Sequence, residues 1–201
     1  MKKTIWAIAA LIIMAGAITF VAACTKESSP ADTIAAKSQS YTVGFRGLDY
    51  AEAELVFDKG VFLATLEKIL QNKTAESGQD FLSEDVKIYF ENGGTDEEVA
   101  ILQISLFETI EELGHNLFFV LQKEQHPQGS TYKLNSGEIS STCISSNCLV
   151  ACNGIYDETI GQVNGCTCSK PDPEALMQCK YLVTQKLVQD AVYMAFGAML
   201  K

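Results

Sequence analysis

Six of the seven cysteines in this 201-residue chain fall between residues 143 and 179: Cys143, Cys148, Cys152, Cys166, Cys168 and Cys179. Their number is even, and Asn153-Gly154, Asn164-Gly165 and Lys170-Pro171 punctuate the stretch with loop formers. Such a segment cannot bury enough apolar surface to hold itself together. Three disulfides would do so, each contributing about 2–4 kcal/mol by constraining the unfolded chain. Spacing does not choose among the connectivities. Cys166 and Cys168 are poorly placed to bond each other, because a bridge needs Cα atoms roughly 4.4–6.8 Å apart with suitable torsions. Zinc or an iron–sulfur cluster is the rival use of so many sulfurs. The C-x4-C-x3-C spacing matches neither zinc-ribbon nor ferredoxin patterns, and neither histidine lies nearby. A redox role for Cys166-Thr167-Cys168 would want a basic flank, and only Lys170 supplies one. The expectation is structural disulfides, no metal and no cofactor.

The seventh cysteine has a different setting. Met1-Lys2-Lys3 is a short basic start. Ile5 to Ala23 is apolar or small apart from Thr19, and the chain becomes polar at once after Cys24. The run approaches the ~20 residues of a membrane span, which is the competing reading. The basic start, apolar centre and small residues before Cys24 follow the layout of a cleaved signal peptide.

Val21-Ala22-Ala23-Cys24 resembles the lipobox of bacterial lipoproteins: an aliphatic residue, two small ones and the cysteine that receives lipid. The resemblance implies cleavage before Cys24, a thioether-linked diacylglyceryl group and an amide-linked third chain. At about 0.8 kcal/mol per buried methylene, two or three acyl chains hold a protein on its membrane. Lys26-Glu27 resembles the short Lys/acidic export tag of surface lipoproteins in Bacteroidota, although an ordinary polar tether has the same composition. An oxidising, extracytoplasmic setting would in turn favour disulfides over free thiols.

The full chain carries 15 basic and 25 acidic residues, net −10. Removal of residues 1–23 takes away Lys2 and Lys3 and leaves 13 against 25, net −12. A chain this acidic does not attract nucleic acid or anionic lipid through its overall field. The expected organisation is a signal peptide over 1–23, a lipidated flexible tether over 24–40 and one domain over 41–201.

Within that domain, Tyr41–Phe45 reads as a brief strand. From Asp49 to Asn72, Leu55, Phe62, Leu66, Ile69 and Leu70 recur at helical steps, with Gly60 as a weak point. Val86–Phe90 alternates as a strand and ends at Asn92-Gly93-Gly94. Thr95-Asp96-Glu97-Glu98 has the form of a capping box, with Val99, Leu102, Leu106, Ile110 and Leu113 at helical spacing and Gly114 as the stop. This predicts a helix over 99–113. Alternation of Ala100, Leu102, Ile104 and Leu106 makes a strand over 99–107 the rival. Asn116–Leu121 and Thr131–Leu134 predict a hairpin turning at His126-Pro127-Gln128-Gly129. The last element is predicted as a helix over 173–200, with Asp172 as cap, Pro173 in its first turn and Cys179 pinning it to the cysteine loop. Its uncharged end, Ala191–Leu200, fits a buried helix end or a contact surface. The fold class expected is α+β: a small antiparallel sheet, two or three packed helices and a disulfide-rich loop.

Other candidate chemistry is thin. Ser130-Thr131-Tyr132-Lys133 satisfies S-x-x-K, but the penicillin-recognising enzymes need the serine to open a helix, and these residues are of β type. His115 beside Gly114 is expected to meet helix carbonyls, and His126 to sit in an exposed loop. Asp96, Glu97 and Glu98 fit a helix N-terminus; Glu108, Glu111 and Glu112 fit a solvated helix face, with a glycosidase-like carboxylate pair as the sharper alternative. The functional expectation is a lipid-anchored cell-envelope protein, held to the membrane at Cys24, that binds a protein partner or shapes the surface without catalysis. An envelope enzyme, or a redox or metal protein built on the cysteine segment, is the alternative.

Overall fold

A computed structural model describes residues 39–48, 52–75, 78–92, 97–145, 152–168 and 179–200, with Cys168 described by its backbone alone. All described residues belong to the unit Ser38–Lys201. The signal peptide, Cys24, the tether to residue 38, Thr95 and Asp96 of the expected capping box, Cys148, and Asp172 and Pro173 lie outside the described residues.

Alternation and β-branched content give the chain its first strand, β1 (Ser40–Gly47), where one was expected, and a two-residue β2 (Glu54–Leu55) pairs back onto it. Helix α1 (Lys59–Thr74) starts later than the apolar pattern suggests, because Asp58 caps it: its Oδ1 accepts from the Val61 N–H at 2.8 Å. Gly60 therefore falls in the first turn and breaks nothing. Phe62, Leu66 and Leu70, at four-residue steps, are fully buried.

Strand β3 (Phe81–Glu91) contains the expected 86–90 strand and pairs along its length with β4 (Val99–Glu108). The predicted 99–113 helix is thus overturned in favour of its rival. Ala100, Leu102, Ile104 and Leu106 all point to the helix-side core, while Ile101 and Gln103 are buried on the opposite face. A segment covered on both faces is apolar nearly throughout, which mimics helical spacing. Ile110, expected in the helix core, is 63 % exposed in the turn that follows. Gly114 is no helix stop but a residue of β5 (Leu113–His126), paired with Phe107 on one side and Ser145 on the other.

The predicted hairpin is present. β5 turns at Pro127-Gln128 into β6 (Gly129–Asn135). Gly129 sits at φ +146, and a Cβ there would run into the Arg46 carbonyl of β1.

The cysteine segment differs from the loop expected. Where described it is mostly strand: β7 (Ser141–Ser145), a hairpin of β8 (Cys152–Asp157) and β9 (Gln162–Cys168), and β10 (Cys179–Val183). β10 replaces the first part of the predicted 173–200 helix, so Cys179 lies on a strand paired with β7 rather than on a helix. Five residues are too few for periodicity to separate strand from helix, and the pairing with β7 decides it. The helix itself, α2, spans Lys186–Met199. Its Ala191, Val192, Ala195 and Phe196 are buried, so one face of the uncharged end belongs to the core, while Met194 and Leu200 are exposed.

β5 is the axis of the fold. Its first half lies between β4 and β7, and its second half pairs with β6, which passes to β1 and β2. Strands β3-β4-β5-β6-β1-β2 form a nearly closed antiparallel barrel. The two helices pack together against one face, joining Phe62, Leu66, Val192 and Phe196 to Val43, Leu102, Phe119 and Tyr132. The β8–β9 hairpin covers the other face over a second core of Ile101, Phe118, Cys143, Cys152 and Val163. Antiparallel sheet, two helices and disulfides were all anticipated; the predominance of β structure was not.

Candidate functional site

Three arrangements collect the reactive or polar side chains. The first is the staple under the hairpin. Cys143 of β7 bonds Cys166 of β9, and Cys152 of β8 bonds Cys179 of β10, with Cα separations of 5.8 and 6.1 Å. Each bridge ties one hairpin strand to the sheet below. Beneath it lies a polar layer that no sequence pattern announced. Ser105 Oγ and Gln103 Nε2 donate to Asn116 Oδ1 at 2.6 and 3.1 Å, and Asn116 Nδ2 donates to the Cys152 carbonyl at 3.2 Å. Gln103 and Asn116 are buried, and a buried amide must be bonded. These bonds therefore fix where the hairpin sits as well as holding it. Backbone pairing sets Cys168 opposite Cys152. No group of metal-ligating side chains occurs among the described residues.

The second arrangement joins β4 and β5 beside their turn. His115 Nε2 and Glu108 Oε2 approach to 3.3 Å, close but not aligned for a hydrogen bond. Both side chains are largely buried, and the Phe81 ring meets the imidazole edge-on at 5.4 Å. His115 thus faces a carboxylate and an aromatic ring, not helix carbonyls. Glu108 is not on a solvated helix face, and Glu112 takes a left-handed φ of +55 in the turn. Burial lowers the His115 pKa, opposed by the charge of Glu111. Burial raises that of Glu108, helped by Glu111 and opposed by a hydrogen bond with Gln79. At neutral pH the imidazole is uncharged.

The unfolded chain binds a proton at His115 at higher pH than the fold does, so stability is complete above about pH 6.5 and drains as pH falls below it. Glu108 acts oppositely: its raised value favours the fold at low pH and costs stability as pH rises through and above about 4.5. Replacement His115→Gln is expected to flatten the stability profile between about pH 6.5 and 5, read by urea denaturation at stepped pH. An unchanged slope would mean that the imidazole titrates as freely as in the unfolded chain. The crevice beside His115, walled by Leu117, Thr142, Ile144, Thr184 and Val188, holds about 30 Å³, space on the scale of one water.

The third arrangement is Arg46 on β1, whose guanidinium grips both Glu98 oxygens, one at 2.7 Å, and lies 4.4 Å over the Phe90 ring. Lys123 Nζ approaches Glu98 at 3.3 Å, and the Glu98 side chain is only 2 % exposed. Glu98 therefore ties the approach to β4 to β1 and β5 and is not a charge at a helix start. The pairing spans 52 residues of sequence, and no local signal could have found it.

Ser130 and Lys133 stand three apart on β6 and so point to opposite faces. Lys133 meets Glu124 at 2.7 Å, and no S-x-x-K site forms. His126 is exposed, as expected, 3.1 Å from Thr131 Oγ1. Among the described residues no helix is long and apolar enough to cross a membrane. Comparison of the chain with protein-family models finds no match, and comparison with curated proteins and with solved structures finds none either.

Proposed function

We propose that this chain is a lipid-anchored protein of the bacterial cell envelope, tethered at Cys24, whose stapled β domain acts as a non-enzymatic binding module. Two independent observations support the reading. Val21-Ala22-Ala23-Cys24 provides the acylation signature. The cysteine segment carries two disulfides on neighbouring strands, the chemistry of an exported chain. The second is the one that carries it, because the bridges fasten a hairpin over a separate small core. A surface held in this way can meet a partner without losing much entropy. The remaining sulfurs of the cluster, Cys148 and Cys168, complete the six-cysteine set as a third crosslink in this reading. The module takes no metal or cofactor.

Growth of a bacterial host expressing the full chain with tritiated palmitate tests the anchor. The protein is expected to incorporate label and partition into the detergent phase, and Cys24→Ser is expected to lose both. Equal labelling of the variant, or retention of the unlabelled wild type in the cytosol, would remove the anchor and with it the exported setting.

A further inference from the structure

The long edge that β5 presents to β6 and β7 is interrupted. β5 and β6 join through the two-residue turn Pro127-Gln128, flanked by the pair His126 and Gly129. Such a flanking pair is hydrogen-bonded, and the hydrogen-bonding direction alternates along a strand. Counting back from His126, the main-chain groups of Gln122, Val120 and Phe118 all turn toward this edge. Gln122 pairs with Lys133 of β6, and Phe118 pairs with Ser141 of β7. Val120 has no partner on this side among the described residues. β6 ends at Asn135, which falls opposite Val120 when the β5–β6 register is continued but forms no bridge to it, and β7 begins only at Ser141. The intervening residues are held to other elements: the Glu138 carbonyl accepts from Tyr193 Oη at 3.1 Å and from Gln189 Nε2 of α2, and Ser136 N–H donates to the Gln39 carbonyl at 2.7 Å.

Val120 lines the open groove that results, about 480 Å³, far larger than the crevice at His115. That volume is within the range of about 300–1,000 Å³ typical of ligand sites. Gln122 and Asn135 stand on one wall, Glu138 and Ile139 on the loop between β6 and β7, and Gln162 on the stapled hairpin. Asn135 Nδ2 donates to Gln122 Oε1 and to Glu138 Oε1, both at 3.0 Å, which orients the array. The amides retain both donor and acceptor capacity, Gln122 through its NH₂ and Asn135 through its carbonyl oxygen.

We propose that this groove receives the extended main chain of a partner polypeptide, which supplies the missing rung opposite Val120. One inserted residue would accept from the Val120 N–H and donate to its carbonyl, as a strand does when it adds to a sheet. Gln122, Asn135 and Gln162 would take the flanking peptide groups. Glu138 is the charged residue of the lining and the full chain is net −10, so the segment received is neutral or basic. The inference rests on the binding-module reading and gives it a site and a ligand chemistry. A palmitate failure would overturn the anchor and the exported setting and leave the groove untouched, and a groove failure would overturn this inference alone.

Amide hydrogen exchange on the full-length chain in detergent tests it. In the free protein the Val120 amide is expected to exchange much faster than those of Phe118 and Gln122. A pooled library of capped, neutral-to-basic tetrapeptides at millimolar concentration is expected to slow it, and the same pool with N-methylated main chains is not. Val120→Pro removes the donor at a position where no ladder bond is lost, while also fixing φ there, and is expected to weaken peptide binding about tenfold. Should that variant unfold, Gln122→Ala with Asn135→Ala gives the same reading. A Val120 amide already protected in the free chain would overturn the proposal. So would equal binding of the methylated pool, or equal protection by glucose or N-acetylglucosamine, which would assign the groove to hydroxyl ligands.

Discussion

Replacing Phe62 by alanine is expected to cost the fold about 3–5 kcal/mol. The ring is fully buried and stands where three elements meet: its centroid lies 4.5 Å from that of Phe196 in α2 and 5.1 Å from that of Phe57 ahead of α1. Phe196 in turn stacks on Tyr41 of β1 at 6.0 Å. No side chain nearby is free to fill the space, because Leu66, Leu70, Val192 and Ala195 are themselves completely buried. The loss therefore includes the unfilled cavity as well as the lost transfer energy. Urea denaturation of wild type and Phe62→Ala measures the difference. A cost under about 1 kcal/mol would mean that the two helices do not share one core.

Loss of the disulfides is the second large effect, and it should be local in structure. Cys143–Cys166 and Cys152–Cys179 close loops of 23 and 27 residues of sequence separation. Chain-entropy reasoning assigns each about 3 kcal/mol. The hairpin they hold covers a small core, Ile101, Phe118 and Val163 with the sulfurs, while the larger core on the helix side contains no cysteine. A variant with Cys143→Ser and Cys166→Ser should thus destabilise the β8–β9 hairpin first. In hydrogen exchange, Gly154 to Asp157 and Gln162 to Thr167 are expected to lose protection, while α1 and the centre of β4 keep theirs. Equal loss across both layers would show that the hairpin and the helix-side core unfold as one unit.

The elements most legible in advance were those with a buried face opposite an exposed one or a turn with explicit chemistry. Phe62, Leu66 and Leu70 marked α1, and Pro127 to Gly129 marked the β5–β6 turn. The segment 99–113 was misread because β4 is covered on both faces, by helices at Ala100, Leu102 and Ile104 and by the hairpin at Ile101 and Gln103. Two-sided burial erases the period-two signal that identifies a strand. Taking it as a strand would also have brought His115 near Glu108 across a short turn. β10 was hidden for a different reason: its five residues, none fully buried, carry too little pattern to stand against the helical run that follows.

Local chemistry, carried in neighbouring residues, determined by itself the disulfide use of Cys143, Cys152, Cys166 and Cys179, the α1 core face and the β5–β6 hairpin. Partner choice was decided only in three dimensions. The sulfur pairs, the Arg46–Glu98 grip, the Asn116 contact under the hairpin and the gap at Val120 all depend on which strands the barrel sets side by side. The reason is that a side chain's own sequence states what it can bond, whereas the strand order of a curled sheet states what it can reach.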